Sequence, residues 1–382
     1  AGTGRWSGRR VQLQNLPRGK LPQEHIENVF SILKNKETRE ARDVIEMLYG
    51  SPLDVLSSCI RGFLVPEPGK KFVTIDFSSI EARVLAWLCD EERILNIFRG
   101  DGKLYEYNAS NIFNVSIAKV TKAQRQIGKV AELALGYGGG VGAFQSMAVN
   151  YNVEVTDQQA DLIKTNWRNA RPKTVQYWKN LETAAMGAVY NPGKEFLMGP
   201  NTEEKGIQGR YGRNVIFLKR GSFLWAKLPS GRSLCYPYPE IWKQVWGKVK
   251  NEKGKITSMT FRGRTHADAV AMAEEYCKEE KLFLDETSNP TDQVTFMSED
   301  SLTKKWARKG MYGGFLSENV TQAVSRDLLV HTMQTLELKE YDTVMHVHDE
   351  VVSEVPENFG SVTESILIGS TGPKWARDLP LN

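Results

Sequence analysis

Two apolar β segments at opposite ends of the chain constrain the fold most. The first, FVTIDFSSIEAR (Phe72–Arg83), opens with Val, Thr, Ile and Phe, which favour strand. From Ser78 its spacing becomes helical, with Ile80, Val84 and Trp87/Leu88 recurring at i, i+4 and i+7/i+8. Ser78 with Glu81 three residues on predicts a capping box. The second, TVMHVHDEVVSEV (Thr343–Val355), reads as strand, tight turn, strand, with His348, Asp349 and Glu350 at the turn. Between them lies a mostly helical middle with a β insertion. This order predicts an α+β fold in which two chain-distant segments share one sheet.

The intervening pattern supports that reading. A helical stretch with mixed charge covers Gln23–Tyr49. A second long helix starts at Thr121, where TKAQ repeats the cap logic, runs to about Leu135 and breaks at GYGGGVGAF. Residues 151–190 read as helical and 200–265 as β-rich, with NEKGK a hairpin turn; 266–285 and 317–338 read as helical.

Bulk properties exclude some classes. The 382 residues suggest two domains, or one large domain with a subdomain. At 41% hydrophobic and 25% charged, the chain can bury a sizeable core. A net charge of +4 and a pI near 8.7 permit a polyanionic partner without demanding one. Cys59, Cys89, Cys235 and Cys277 are scattered with no CxxC, which argues for free thiols in a reducing cytoplasm and against a zinc site. No run of 18 apolar residues is present, so no membrane partner is expected. AGTGRWSGRR lacks both the apolar region of a signal peptide and an initiator Met.

Asp76 and Asp349 are the first chemical clue. Each alone reads as a cap or a turn aspartate. Presented from adjacent strands of one sheet, they make a site for hard divalent cations, since Mg²⁺ takes one or two carboxylates with water and phosphate. Two such ions roughly 4 Å apart can activate a hydroxyl and stabilise a leaving oxygen in phosphoryl transfer. A polyphosphate binder is supplied by QRQIGKVAELALGY. Arg125, Lys129, Leu133 and Tyr137 fall at i, i+4, i+8 and i+12, one stripe along a helix. Its cationic end suits phosphates, and its apolar end suits base and sugar. The competing reading is a solvated basic face above a buried Leu/Tyr edge. Glycines 138–140 have no GxxxxGK[ST] context and read as room for close backbone approach or a hinge.

In this order the motifs resemble the family A DNA polymerases, the DNA polymerase I superfamily. DFSSIEAR looks like its motif A, the Arg125-Lys129-Leu133-Tyr137 stripe its motif B, and HDE its motif C. TGRWSGRRVQLQNLPRG (Thr3–Gly19) is similar to the primer-template contact block, and YGGFLSENVTQAVSRDLL (Tyr312–Leu329) to the palm helix before motif C. PKWARDLPL (Pro373–Leu381) resembles an ending common in phage members. The flavour is that of phage replicative polymerases.

The resemblance implies template-directed addition of dNMP from dNTP to a primer 3′-OH, with two Mg²⁺ ions and release of pyrophosphate. It implies Asp76, Asp349 and the Phe77 carbonyl as metal ligands, with Glu350 supporting them. Glu81 becomes a steric gate against a ribose 2′-OH, in competition with its capping role. Arg125 and Lys129 would bind the triphosphate, Lys129 as proton donor to pyrophosphate, and Tyr137 would pack near the templating base. Arg5, Gln14, Asn15, Gln322 and His348 would contact the minor groove or primer terminus, checking shape without reading sequence. Departures are Leu133 where Phe or Tyr is usual, Ala134 for a common Gly, Ser79 for Gln, and Tyr105 for a phosphate-binding His. Asn319-x-x-Gln322 has a shortened spacing, and Gly314 stands without the family's Arg.

The implied architecture is a right-hand palm in two pieces, residues 1–90 and 301–382, around mostly helical fingers at 91–300. The expected partners are primer-template DNA and dNTP, in the cytoplasm, that of the host if the protein is viral. The family's thumb and exonuclease precede the Thr3–Gly19 block, so the resemblance implies either a truncated piece or one part of a split polymerase completed by a separate chain. The alternatives are a thumbless DNA- and dNTP-binding module and a single-chain RNA polymerase; Glu81 argues against the latter.

Overall fold

The computed structural model describes residues 2–6, 15–17, 19, 21–198, 213–252, 254, 256–300 and 303–381. Gln14, the whole span 199–212, Lys253 and Lys255 therefore lie outside the described residues. The chain divides into two compact units, one of Trp6–Phe77 with Thr332–Gly369, the other of Gly2–Arg5, Ser78–His331 and Ser370–Asn382.

The smaller unit contains the shared sheet expected from sequence. Its three antiparallel strands lie in the order Lys70–Asp76, Glu350–Pro356, Asp342–Val347. Strand alternation gives the sheet two unlike faces. Val73 and Phe77 are buried, and Ile75 meets Gly369 of the helix Val362–Ser370. Phe72, Thr74 and Asp76 point the other way and are exposed. A separate helical core is built from Val29, Ile45, Val55 and Cys59. The helical stretch expected over Gln23–Tyr49 consists of two helices, Gln23–Asn35 and Thr38–Tyr49, divided where Lys36 is extended (φ −129°, ψ 149°).

The larger unit holds the helix Ile80–Cys89, but not the capping box expected at its start. The N-cap is Ser79, in the left-handed region at φ 54°, and no side chain caps it. The Glu81 carboxylate is committed to Arg5 and Tyr137 instead. The second capping box is present: Thr121 and Gln124 close it at the start of the helix Lys122–Leu135. That helix buries Val130, Ala131 and Leu135 in a core with Phe144, Ile163 and Trp167.

Lys122–Leu135 lies very close to the helix Leu104–Phe113. A Cβ at Gly128 would collide with the backbone carbonyl of Tyr105, which cannot swing aside. Gly128→Ala should therefore destabilise the protein by about 1–3 kcal/mol, although alanine is the better helix former. Chemical denaturation reads this; a variant as stable as the parent would refute the close-approach account.

The β-rich region forms two sheets. Glu195–Met198, Val215–Arg220, Phe223–Lys227 and Ser233–Pro237 pair in sequence order. The other sheet runs Trp306–Met311, Thr291–Glu299, Glu240–Lys250, Ile256–Gly263, with Phe283–Thr287 also on Glu240–Lys250. Glu240–Lys250 and Ile256–Gly263 pair antiparallel, as the two arms of the expected hairpin; two residues of the NEKGK turn lie outside the described residues. The helix expected over 266–285 ends at Glu279; Lys281 takes φ 55°, and the chain returns as strand from Phe283. All four cysteines are free, and burial pushes the Cys89 thiol up to about 12, so it is held as the unreactive thiol. Among the described residues no helix is long and apolar enough to cross a membrane.

Candidate active site

In the smaller unit three carboxylates gather at one end of the three-stranded sheet. Asp76 is the last residue of its strand and sits opposite Glu350, the first of the central strand. The backbone N–H of Phe77 donates to the Asp349 carbonyl at 3.1 Å, extending the ladder one step into the turn. Val347 pairs with Glu350, so His348 and Asp349 alone make the connection. Such two-residue turns need left-handed backbone, usually from glycine. Here His348 takes it at φ 56°. A non-glycine residue at this conformation in a candidate site marks strain held by the surrounding hairpin.

These residues rim a cleft of about 830 Å³ over the exposed sheet face. Its floor includes Phe72, Thr74, Val347 and Val352, and its wall Leu16, Arg61 and Phe63–Val65. Arg61 donates to the carbonyls of Leu16 (3.0 Å) and Pro17 (3.2 Å), which ties the segment carrying Asn15 to this wall. Nothing local in the sequence marks Arg61 for that role.

The donor set at the sheet end is all hard oxygen. Among the described residues no three His, Cys, Asp or Glu side chains converge into a ready-made ligand cage. Carboxylate oxygens are donors suited to Mg²⁺, which commonly uses one or two of them and completes its octahedron with water and phosphate oxygens.

In the larger unit, Glu81 organises a second constellation. Its carboxylate accepts from Arg5 Nη1 at 3.3 Å and from the Tyr137 hydroxyl at 3.0 Å. Enclosure and then the Glu81 charge push the Tyr137 phenol well above its ordinary value, so it remains a protonated donor. Glu318, which sequence reasoning missed, belongs here too. Burial, and next the Glu81 carboxylate, raise its carboxyl, while the amide of Gln322, donating at 3.2 Å, opposes the shift.

The cationic stripe lies on Lys122–Leu135 with one correction: the helix ends at Leu135, so Tyr137 stands beyond it. Arg125 is exposed, bonded to Glu106 at 2.7 Å and lying over the Tyr105 ring at 5.3 Å. Lys129 lies over Tyr151 at 5.1 Å, and Leu133 is 42% exposed. The alternative of a buried Leu edge is thus wrong for Leu133. Behind the stripe, Glu132 is buried against Arg171 (2.7 Å) and Asn108 (2.8 Å).

A second arginine steadies Arg5. Arg232 donates to Asp327 at 2.7 Å, to the Ala323 carbonyl at 2.8 Å and to the Thr3 carbonyl at 2.9 Å. Gly4 takes φ 75°, a conformation that favours glycine, and a Cβ there would stand 2.7 Å from the tip of the Arg232 side chain. Arg232 thereby ties the Thr3–Arg5 segment to Ala323 and Asp327. Arg232→Ala should lower stability by about 1–3 kcal/mol, and Arg232→Lys should restore only part. A denaturation midpoint equal to that of the parent would count against this tie.

The DNA polymerase family A model matches residues 1–192. The DNA polymerase of Bacillus phage SP02 is 35% identical over 99% of this chain, which covers 49% of that protein. DNA polymerase I of Caldicellulosiruptor bescii is 26% identical over 32% of the chain and 14% of its own length. The chain thus spans about half the length of the phage relative and less of the bacterial one. Among solved structures, the POL domain of Pol1 from M. smegmatis, in complex with DNA primer-template and dNTP, aligns over 100% of this chain and 45% of that one, at 15% identity and a TM-score of 0.47.

Proposed function

This chain belongs to DNA polymerase family A, and we propose that it adds dNMP units from dNTP to a primer 3′-OH, directed by a template strand, with release of pyrophosphate. The observation that carries the reading is the sheet end: Asp76, Asp349 and Glu350 presented together at the rim of a cleft. Asp76, Asp349 and the Phe77 carbonyl would hold Mg²⁺, which when bound supplies the positive charge for in-line displacement at a phosphate. Glu350 supports those ligands from the facing strand.

The remaining roles fall to side chains with suitable chemistry. Arg125 and Lys129 neutralise the triphosphate, and Lys129 is the proton donor to the leaving pyrophosphate. For both, the aromatic neighbours Tyr105 and Tyr151 offer weak contacts that a phosphate can replace. Leu133 and Tyr137 face the base and sugar. Arg5, Asn15, Gln322 and His348 touch the primer-template, where shared minor-groove acceptors let one set of donors serve every correct pair. The unit built on the shared sheet is assigned to the palm, and the helices around Lys122–Leu135 to the fingers.

Glu81 is assigned as the gate that selects deoxyribose. Its two hydrogen bonds hold the carboxylate in one place, which a steric filter requires. Glu81→Ala should raise the use of rNTP relative to dNTP by about a hundredfold. Tyr137→Phe, which removes one bond and keeps the bulk, should change it less. Unaltered sugar preference in Glu81→Ala would remove the gate assignment.

The direct test is extension of a recessed primer by this chain with dNTPs and Mg²⁺. Template-dependent extension is expected. Binding of the primer-template without extension would favour a DNA-binding module, and equal extension with rNTPs would favour an RNA polymerase.

A further inference from the structure

The hairpin Glu240–Lys250/Ile256–Gly263 has no part in the chemistry proposed above. Residues 240–264 hold seven Lys and Arg against two Glu, an excess of five in a chain whose net charge is +4. The next segment reverses the sign: residues 265–286 hold seven Asp and Glu against two Lys. Of these basic residues, Lys248 and Lys250 share one face of the sheet with Trp246, while Lys243 shares the other with Val245. The helix His266–Glu279 covers one sheet face, where Val245, Val249 and Phe261 pack against Ala269, Ala273 and Cys277. Its exposed Glu274, Glu275 and Glu279 look away from the sheet.

The other face is open. Cross-strand partners share a face. Lys250 is opposite both Phe283 and Ile256, Lys248 is opposite Ser258, and Trp246 is opposite Thr260. Trp246 is 53% and Phe283 65% exposed. Lys248 pairs with Glu286 at 2.6 Å across this face, a solvent-exposed pair that a phosphate can displace. Lys250 has no ion-pair partner among the described residues. An apolar protein surface would leave the two ammonium groups, Lys248 and Lys250, unmatched. A duplex would meet the lysines but leave the rings unused, because its bases are stacked inside. Lysines interleaved with exposed aromatics match a strand whose bases are free to stack.

We propose that this open face of Glu240–Lys250, Ile256–Gly263 and Phe283–Thr287 is a sequence-tolerant platform for single-stranded DNA, with Trp246 and Phe283 stacking on bases and Lys248 and Lys250 on phosphates. Only the source of that strand, the unpaired template, rests on the polymerase reading; binding itself does not.

The test is fluorescence anisotropy of the full chain with a labelled oligothymidylate of about 20 nucleotides, without dNTP or Mg²⁺. Trp246→Ala with Lys250→Glu should weaken binding about tenfold or more and make the dependence of affinity on salt shallower. The far-UV spectrum and unfolding midpoint should stay those of the parent, since both side chains are exposed. A blunt hairpin duplex should lose no more than about twofold. Oligothymidylate affinity within twofold of the parent would overturn the proposal. Equal losses for strand and duplex would also overturn it, by showing a general polyanion surface. Altered self-association in the variant, with strand binding intact, would reassign the face to a second copy of the chain. Failure of primer extension with this binding retained would sink the polymerase reading and leave the platform standing.

Discussion

Asp349→Ala is expected to reduce primer extension by at least about a thousandfold, equivalent to roughly 4 kcal/mol of barrier. The substitution removes one of two carboxylates assigned to hold Mg²⁺ and changes little else. The hairpin around it is secured by backbone pairing, Val347 with Glu350 and Phe77 N–H with the Asp349 carbonyl, and neither uses the side chain. The unfolding midpoint and primer-template affinity should therefore stay near those of the parent. Single-turnover extension with pre-bound DNA isolates the chemical step. Asp349→Asn separates charge from shape: it keeps the side-chain volume and should be nearly as inactive as the alanine variant. If either variant extends primers within tenfold of the parent, the assignment of Asp349 as a metal ligand is wrong.

The second large effect is on stability. Arg171 is 1% exposed and donates to Glu132 at 2.7 Å and to Asn108 at 2.8 Å, with Asn108 in turn donating to Glu132. Removing one member of a buried ion pair strands the other charge without water. Arg171→Ala should cost about 3–5 kcal/mol. For a unit of this size that corresponds to a fall in Tm on the order of 10 °C. Replacing both partners with apolar residues of similar volume, Arg171→Met with Glu132→Leu, should recover much of the loss. Calorimetry on the three variants decides this. A single variant as stable as the parent would show that the site admits water. Glu132 lies one turn beyond Gly128 and Lys129, so the same cluster sets the rotation of the helix carrying the cationic stripe.

Much of this was legible in the chain. The strand at Phe72–Asp76, the hairpin around His348–Asp349 and the helix capped by Thr121 each carry their own signal: alternation, a polar break between apolar runs, and a capping pair. Covalent neighbours alone impose these patterns, so a single sequence displays them. The cap assigned to Ser78 failed for the opposite reason. Its local signal was sound, but Glu81 had stronger partners in Arg5 and Tyr137, far away in the chain. Arg61, Arg171, Arg232 and Glu318 were invisible for that reason too.

By itself, then, the order of residues determined which segments become strand or helix, that Asp76 ends a strand and Asp349 sits in a turn, and which family motifs they belong to. Only the tertiary structure decided that Asp76 faces Glu350 across one sheet end, that Gly128 must stay bare beneath Tyr105, and that Trp246, Phe283, Lys248 and Lys250 share one open face. Local preferences act over a few residues through backbone geometry and capping. Pairing register, close helix approach and burial of a charge are settled by contacts between residues tens to hundreds apart, and no short stretch of sequence records them.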